Sequence, residues 1–341
     1  MRSTRIVFVV CFALALMFAS SAAVAQYTVT NLVSNVPGQA LHTDPLLVNG
    51  WGLARSATGP FWLSDEGTGW STLYNGKGVK QGLEVVVPSE NGKGTGSPTG
   101  IVVNESGEFN VEGWPAIFLF ATLDGTISGW APQSNPNDAI VALDNSSSGA
   151  IYTGLAITNY SSNNFLYAAD NWNNQVDVYD GNFNPVTTLT DSTVPAGFGV
   201  FGVQDINGLV YVSWVANSGG PGGYVDVFTE AGVLVKRLIS NSGLNQPWGF
   251  AAAPSNFGAL SDTLLITNNV AHGIIRGYNI VTGKFVGTVT DTSGSAIVIN
   301  QLWGIEFGGG TAKNGAKNEL FFTAGPDNDE TGLFGVIKVA K

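Results

Sequence analysis

The chain has 341 residues, a formal net charge of −11, 45 glycines, and equal shares, 11% each, of charged and aromatic residues. So acidic a chain offers no basic face to nucleic acid or to an anionic membrane, and neither is expected as a partner. Its single cysteine, Cys11, precedes the folded part. Disulfides, thiolate nucleophiles, cysteine zinc sites, haem attachment and iron–sulfur clusters are therefore not expected.

The first 25 residues read as a cleaved signal peptide. Arg2 and Arg5 form a basic start, Ile6 to Phe18 is unbroken apolar, and Ala23-Val24-Ala25 is a small-residue cleavage site before Gln26. The apolar run is shorter than the ~20 residues of a membrane span, and the mature chain has no later candidate. The expectation is an exported protein, periplasmic or extracellular, whose residues 26–341 form one domain and a monomer.

After an isolated strand, "YTVTNLVSNVPG", the chain repeats. Aligned on a glycine, strand starts fall at "NGWGLA" (Gly52), "SPTGIVV" (Gly100), "IYTGLAI" (Gly154), "GVFGVQD" (Gly202), "QPWGFAA" (Gly249) and "QLWGIEF" (Gly304), 48, 54, 48, 47 and 55 residues apart. Each is followed by a second strand such as "FWLSDEG" or "NFLYAADN", and by a third such as "STLYNG" or "QVDVYDG". Most units show a fourth, as in "LEVVVPS" and "VLVKRLIS". Alternating β-branched and aromatic residues between Gly/Asn/Asp turns is the period-two pattern of strands.

Six four-stranded units predict an all-β, six-bladed β-propeller. The sixth unit ends after its third strand. Leu32-Val33-Ser34-Asn35 matches Leu238-Ile239-Ser240-Asn241, the end of another unit's fourth strand. The N-terminal strand is thus expected to complete the last blade and remove the free edges. A right-handed β-helix has shorter rungs and would not leave one spare strand. In "NQPWGFAAAP", Gly249 is expected where blades crowd the axis and Trp248 as a wedge against the neighbouring blade.

The third unit, "NFLYAADNWNNQVDVYDGN", resembles an NHL repeat. Segments from "NLVSN" through "DPLLVNGWGLA", "GPFWLSDEGTG", "PTGIVVN" and "FLFATLDGTISGW" to "PWGFAAAP" resemble an uncharacterised family of exported bacterial proteins, some bearing a PEP-CTERM sorting tail. The resemblance implies a six-bladed propeller without an established activity. This chain ends at "GVIKVAK" without a Pro-Glu-Pro motif, so plain secretion is expected rather than sorting by that route.

In a propeller the loops from strand four to the next strand one share a face with those from strand two to strand three. Asp65, Asp124, Asp170, Asn217, Asn268 and Asp327 occupy corresponding places in the latter loops. Two readings stand for them: an oxygen ring holding Ca²⁺ at the channel mouth, or side chains that shape their own turns. A metal held there could polarise a carbonyl or activate water.

His42, near Asp44, and His272 are candidates for catalytic bases on the same face. Of the tryptophans at 62, 70, 114, 130, 172 and 214, most are expected between blades. Trp70 and Trp172 are candidates for an exposed platform for sugars or a peptide. No nucleophile elbow, zinc helix, phosphate loop or dinucleotide fingerprint is present. The leading expectation is a binding module for a protein, glycan or other extracellular ligand, acting through this loop face. The alternative is a Ca²⁺-dependent hydrolase or lyase of the lactonase kind.

Overall fold

Every unit builds an antiparallel sheet whose first strand lies innermost. The computed structural model describes residues 26–158 and 164–340, so the expected signal segment lies outside the described residues. The six inner strands are Gly50–Arg55, Pro98–Val103, Tyr152–Thr158, Phe198–Ile206, Pro247–Ala252 and Leu302–Phe307. Five blades run in simple strand order from inside to outside, and the fold is the expected six-bladed propeller. No helix among the described residues is long and apolar enough to cross a membrane.

The ring closes as expected. Tyr27–Ser34 pairs antiparallel with Leu333–Val339 and becomes the outer strand of blade six, and His42–Thr43 adds a short parallel strand outside it. Tyr27 is buried against Phe257 of blade five, its hydroxyl donating to the Phe257 carbonyl at 2.8 Å and accepting from the Leu260 amide. Ile140–Asp144 supplies the fourth strand of blade two, and a small hairpin, Asn110–Val111 with Trp114–Pro115, lies between that blade's first two strands. The hairpin lengthens the interval from Gly100 to Gly154.

A register shift interrupts the pairing of the first two strands near the repeat glycine in all six blades. A bulge re-aims the side chain it carries. Here the residue before the glycine turns to the axis. Trp51 of blade one stacks on Trp303 of blade six with ring centroids 3.6 Å apart, and Trp248 meets Trp303 edge-on at 5.7 Å. Trp248 thus departs from the expected wedge against one neighbour: its indole N–H reaches past blade four to the Thr153 carbonyl of blade three at 2.7 Å. The bulge, invisible in the sequence, accounts for the difference.

The glycine behaves as expected. A Cβ at Gly249 would lie 2.5 Å from the Trp303 carbonyl oxygen of the next blade, closer than any side chain tolerates. Larger cores fill the space between blades farther out. Trp62 stacks on Phe118 and meets Trp130, joining blades one and two.

Candidate functional site

The upper face carries the loops from strand four to strand one and from strand two to strand three. Three of the six ring candidates spend their oxygens on the loop that leads into their own blade. Asp124 accepts from the Ser97 amide at 2.7 Å, Asp170 from the Ile151 amide at 3.2 Å, and Asn268 from the Asn245 amide at 3.2 Å. Asp170 also accepts from the Asn173 side chain, while Asn268 donates to the Gly243 carbonyl. The Asn217 backbone amide donates to Gly197, and Asp327 is exposed in a left-handed conformation. Asp65 is fully buried with both oxygens unpartnered, and burial pushes its carboxyl well above the usual range.

Among the described residues, no three carboxylate, imidazole or thiolate groups gather closely enough to share a metal ion. Of the ring candidates, Asp124, Asp170 and Asn268 have oxygens engaged within their own blades. At Asp124 and Asp170 the carboxylate finds a backbone N–H of its own blade.

His272 lies, as expected, in the strand-two-to-three loop that follows Asn268. His42 is exposed on the outer edge of blade six, with Nε2 3.2 Å from the Lys77 carbonyl. Asp44 does not orient it: its oxygens take the Leu46 amide, the Tyr74 hydroxyl at 2.7 Å and the Lys80 ammonium at 2.7 Å. His272 is exposed in the blade-five loop, and neither imidazole has a carboxylate partner among the described residues.

The two aromatic candidates separate. Trp70 opens the third strand of blade one, half-buried and paired with Asp65 and Val86. Trp172 stands 69% exposed at the tip of the blade-three turn, with its indole over Gly149. Beside that turn lies a cleft of about 350 Å³, lined by Asn145, Asn173, Gln175, Asp177, Tyr179 and Thr187 among others.

A hydrogen-bonded base fixes the floor of this cleft. The Asn145 amide donates to the hydroxyls of Tyr152 and Tyr179, both at 2.7 Å, and the Tyr152 hydroxyl donates to Asp177. The Gln175 amide donates to the other Asp177 oxygen at 2.7 Å. Burial raises the Asp177 carboxyl, opposed by the Tyr152 and Gln175 donors, and burial pushes the Tyr179 phenol up to about 12. A flat indole next to fixed amides, hydroxyls and a carboxylate can hold a ligand that is apolar on one face and polar at its rim.

Among the described residues, the axis is closed above and open below. Trp51, Phe201, Trp248 and Trp303 close its upper part, and beneath them a cavity of about 540 Å³ opens on the lower face. Ile101, Phe250 and Ile305 form part of its wall, with Arg55, Asp205 and Glu306. The sequence reading missed these polar groups. The signal was available: they stand two or three residues after a repeat glycine, on inner strands that are otherwise apolar.

No family model matches the chain. Two uncharacterized proteins of Acanthamoeba polyphaga mimivirus are each 29% identical to it, over 341 and 340 residues. They match 94% and 93% of this chain and 82% and 87% of their own lengths. Among solved structures, a gluconolactonase from Xanthomonas campestris aligns with a TM-score of 0.55 at 13% identity, covering 86% of this chain and 88% of that one. A virginiamycin B lyase from Staphylococcus aureus aligns at 0.53 and 13%, covering 92% and 100%. At such identity these two structures share the fold with this chain, and the fold alone.

Proposed function

We propose that this protein is an exported binding propeller that holds a neutral glycan on its upper face, in the cleft beside Trp172. The observation that carries the reading is a largely exposed indole at Trp172 next to Asn173, which lines a preformed polar cleft. A sugar ring brings an apolar face for the indole and a rim of hydroxyls for Asn173, Gln175 and Asp177. The cleft volume suits one or two sugar units of a longer polymer, since pockets for small ligands start at about 300 Å³. Export rests on the leader-like N-terminus, and the fold likeness to a lactonase and a lyase brings no catalytic set with it.

Affinity electrophoresis through gels containing neutral polysaccharides tests the proposal. The wild type is expected to be retarded by at least one polymer. Trp172→Ala should abolish the retardation, and Gln175→Ala should reduce it. Trp114→Ala, which removes another exposed indole on the blade-two hairpin, should leave it intact. Retardation that survives Trp172→Ala would move the site elsewhere.

A further inference from the structure

The lower axial cavity is separate from the Trp172 cleft and has a different chemistry. Its polar wall is charged, with Arg55 and Glu105, Asp205 and Glu306. The one guanidinium is already committed. Arg55 Nε donates to the Phe307 carbonyl at 2.9 Å and sits 3.3 Å from Glu306 Oε1, while Nη1 reaches the Ser56 carbonyl.

Once ionised, three carboxyls against one cation make the cavity acidic. Glu306 Oε2 and Asp205 Oδ2 are each buried without a hydrogen-bond donor. Arg55 pairs with the other Glu306 oxygen, while among the described residues Asp205 and Glu105 have no ion-pair partner. Charge of one sign on the walls of a narrow, apolar-lined recess focuses its field on whatever enters. Above, the cavity leads to a void of about 30 Å³ beneath Trp248, and the aromatic plug stops it there.

We propose that this cavity is a second binding site, for a small aliphatic ammonium compound whose charged head is held by Glu306 and Asp205. Its hydrocarbon part lies along Ile101, Phe250 and Ile305. An anion meets the wrong field, and a neutral polyol brings no charge to set against the two carboxylates. A bound cation supplies the missing counter-charge.

Protons compete with such a ligand. Burial raises the Glu306 carboxyl to about 8, Arg55 opposing, and raises Asp205 to about 6, helped by the charge of Glu230. Tyr167 and Tyr211 also face Asp205, and both phenols are raised and stay neutral. Affinity for an ammonium ligand therefore climbs with pH between these values, until the amine itself loses its proton near ~10.

Calorimetric titration of the mature chain with 1,4-diaminobutane, 1,4-butanediol and succinate, matched in length and different in charge, tests this. The diamine should bind at about pH 9 and at least about tenfold more weakly at about pH 6. Glu306→Gln and Asp205→Asn should each weaken it about tenfold, with unchanged circular dichroism. Arg55→Gln removes the competing cation and should tighten binding, a direction that damage to the fold does not produce. Equal binding of the diol, binding of succinate, no binding of the diamine, or unaltered affinity in both carboxyl variants would each overturn the proposal.

Discussion

Trp51 and Phe201 come from diametrically opposed blades and meet across the axis with ring centroids 6.4 Å apart. In an open channel these two rings could not touch. Their contact, completed by Trp248 and Trp303, turns the upper half of the axis into core and leaves the lower half as a recess. The same side chains thus close the propeller and define the depth of its cavity.

The plug separates packing from hydrogen bonding. Trp303 donates its indole N–H to Asn49 Oδ1 at 2.9 Å, whereas the Trp51 indole N–H is buried without a partner. Trp303→Phe should cost about 1–3 kcal/mol, because Asn49 loses its donor. Trp51→Phe should cost less than about 1.5 kcal/mol, since a large ring remains and the unsatisfied donor disappears. Trp51→Ala should cost about 3–5 kcal/mol through the cavity it leaves. Urea denaturation of the three variants measures the order, and Trp51→Phe proving the costliest would refute it.

Glycine at the inner strand is required by the neighbouring backbone. Gly249→Ala places a methyl 2.5 Å from the Trp303 carbonyl oxygen, which cannot retreat without moving blade six. A loss of about 1–3 kcal/mol or more is expected. Gly82, in an outer strand, has nothing within 4 Å of a built Cβ, so Gly82→Ala should be neutral or slightly stabilising, by about 0.4–1 kcal/mol. Comparable destabilisation of both would show that backbone freedom, and not contact, governs these glycines.

Blade number, strand order and ring closure were legible because they rest on period-two patterning and on glycine spacing, which are local. The match of Leu32–Asn35 to Leu238–Asn241 foretold the closing strand for the same reason. What Trp248 touches was not legible, since a bulge of one residue decides whether it faces a neighbour or the axis. Of the two readings of the Asp/Asn positions, hydrogen bonds to the loop leading into the blade are present at Asp124, Asp170 and Asn268. Their sequence could not say whether the oxygens point inward, because the competing backbone N–H of Ser97 or Ile151 lies some twenty to thirty residues away. Trp172 was legible as an exposed loop indole. The cleft beside it was not, because Asn145 and Thr187 come from other loops and strands.

The closing strand is anchored by one phenol. Tyr27 bridges blade six to the Phe257–Leu260 turn of blade five through two hydrogen bonds. Tyr27→Phe keeps the ring contact and strands the Phe257 carbonyl and the Leu260 amide, so a loss of about 1–3 kcal/mol is expected. Hydrogen exchange should show it first in Leu333–Val339, which Tyr27–Ser34 covers. Protection lost evenly around all six blades would place the effect on global stability instead.

Acidity should stabilise this protein over much of the range above the carboxylate pKa. Asp65 is wholly buried, and burial holds its carboxyl well above the usual range, with the Asp44 charge adding to the rise. The unfolded chain titrates near ~3.9, so the folded chain binds this proton more tightly. Its contribution is complete below the unfolded value and is lost as pH rises through the folded one. Glu306, at about 8, and Asp205 and Asp226, each at about 6, act in the same direction. Asp180, Asp191 and Asp291 are lowered, and their opposite contribution is lost only on acidification below the usual carboxylate range. Urea midpoints should therefore fall between about pH 5 and about pH 8. Asp65→Asn removes one of these titrations, so it should gain stability on the wild type at the upper pH and show a shallower decline. Parallel profiles for the two proteins would mean that Asp65 is ionised in the fold, held by a donor that the static geometry lacks.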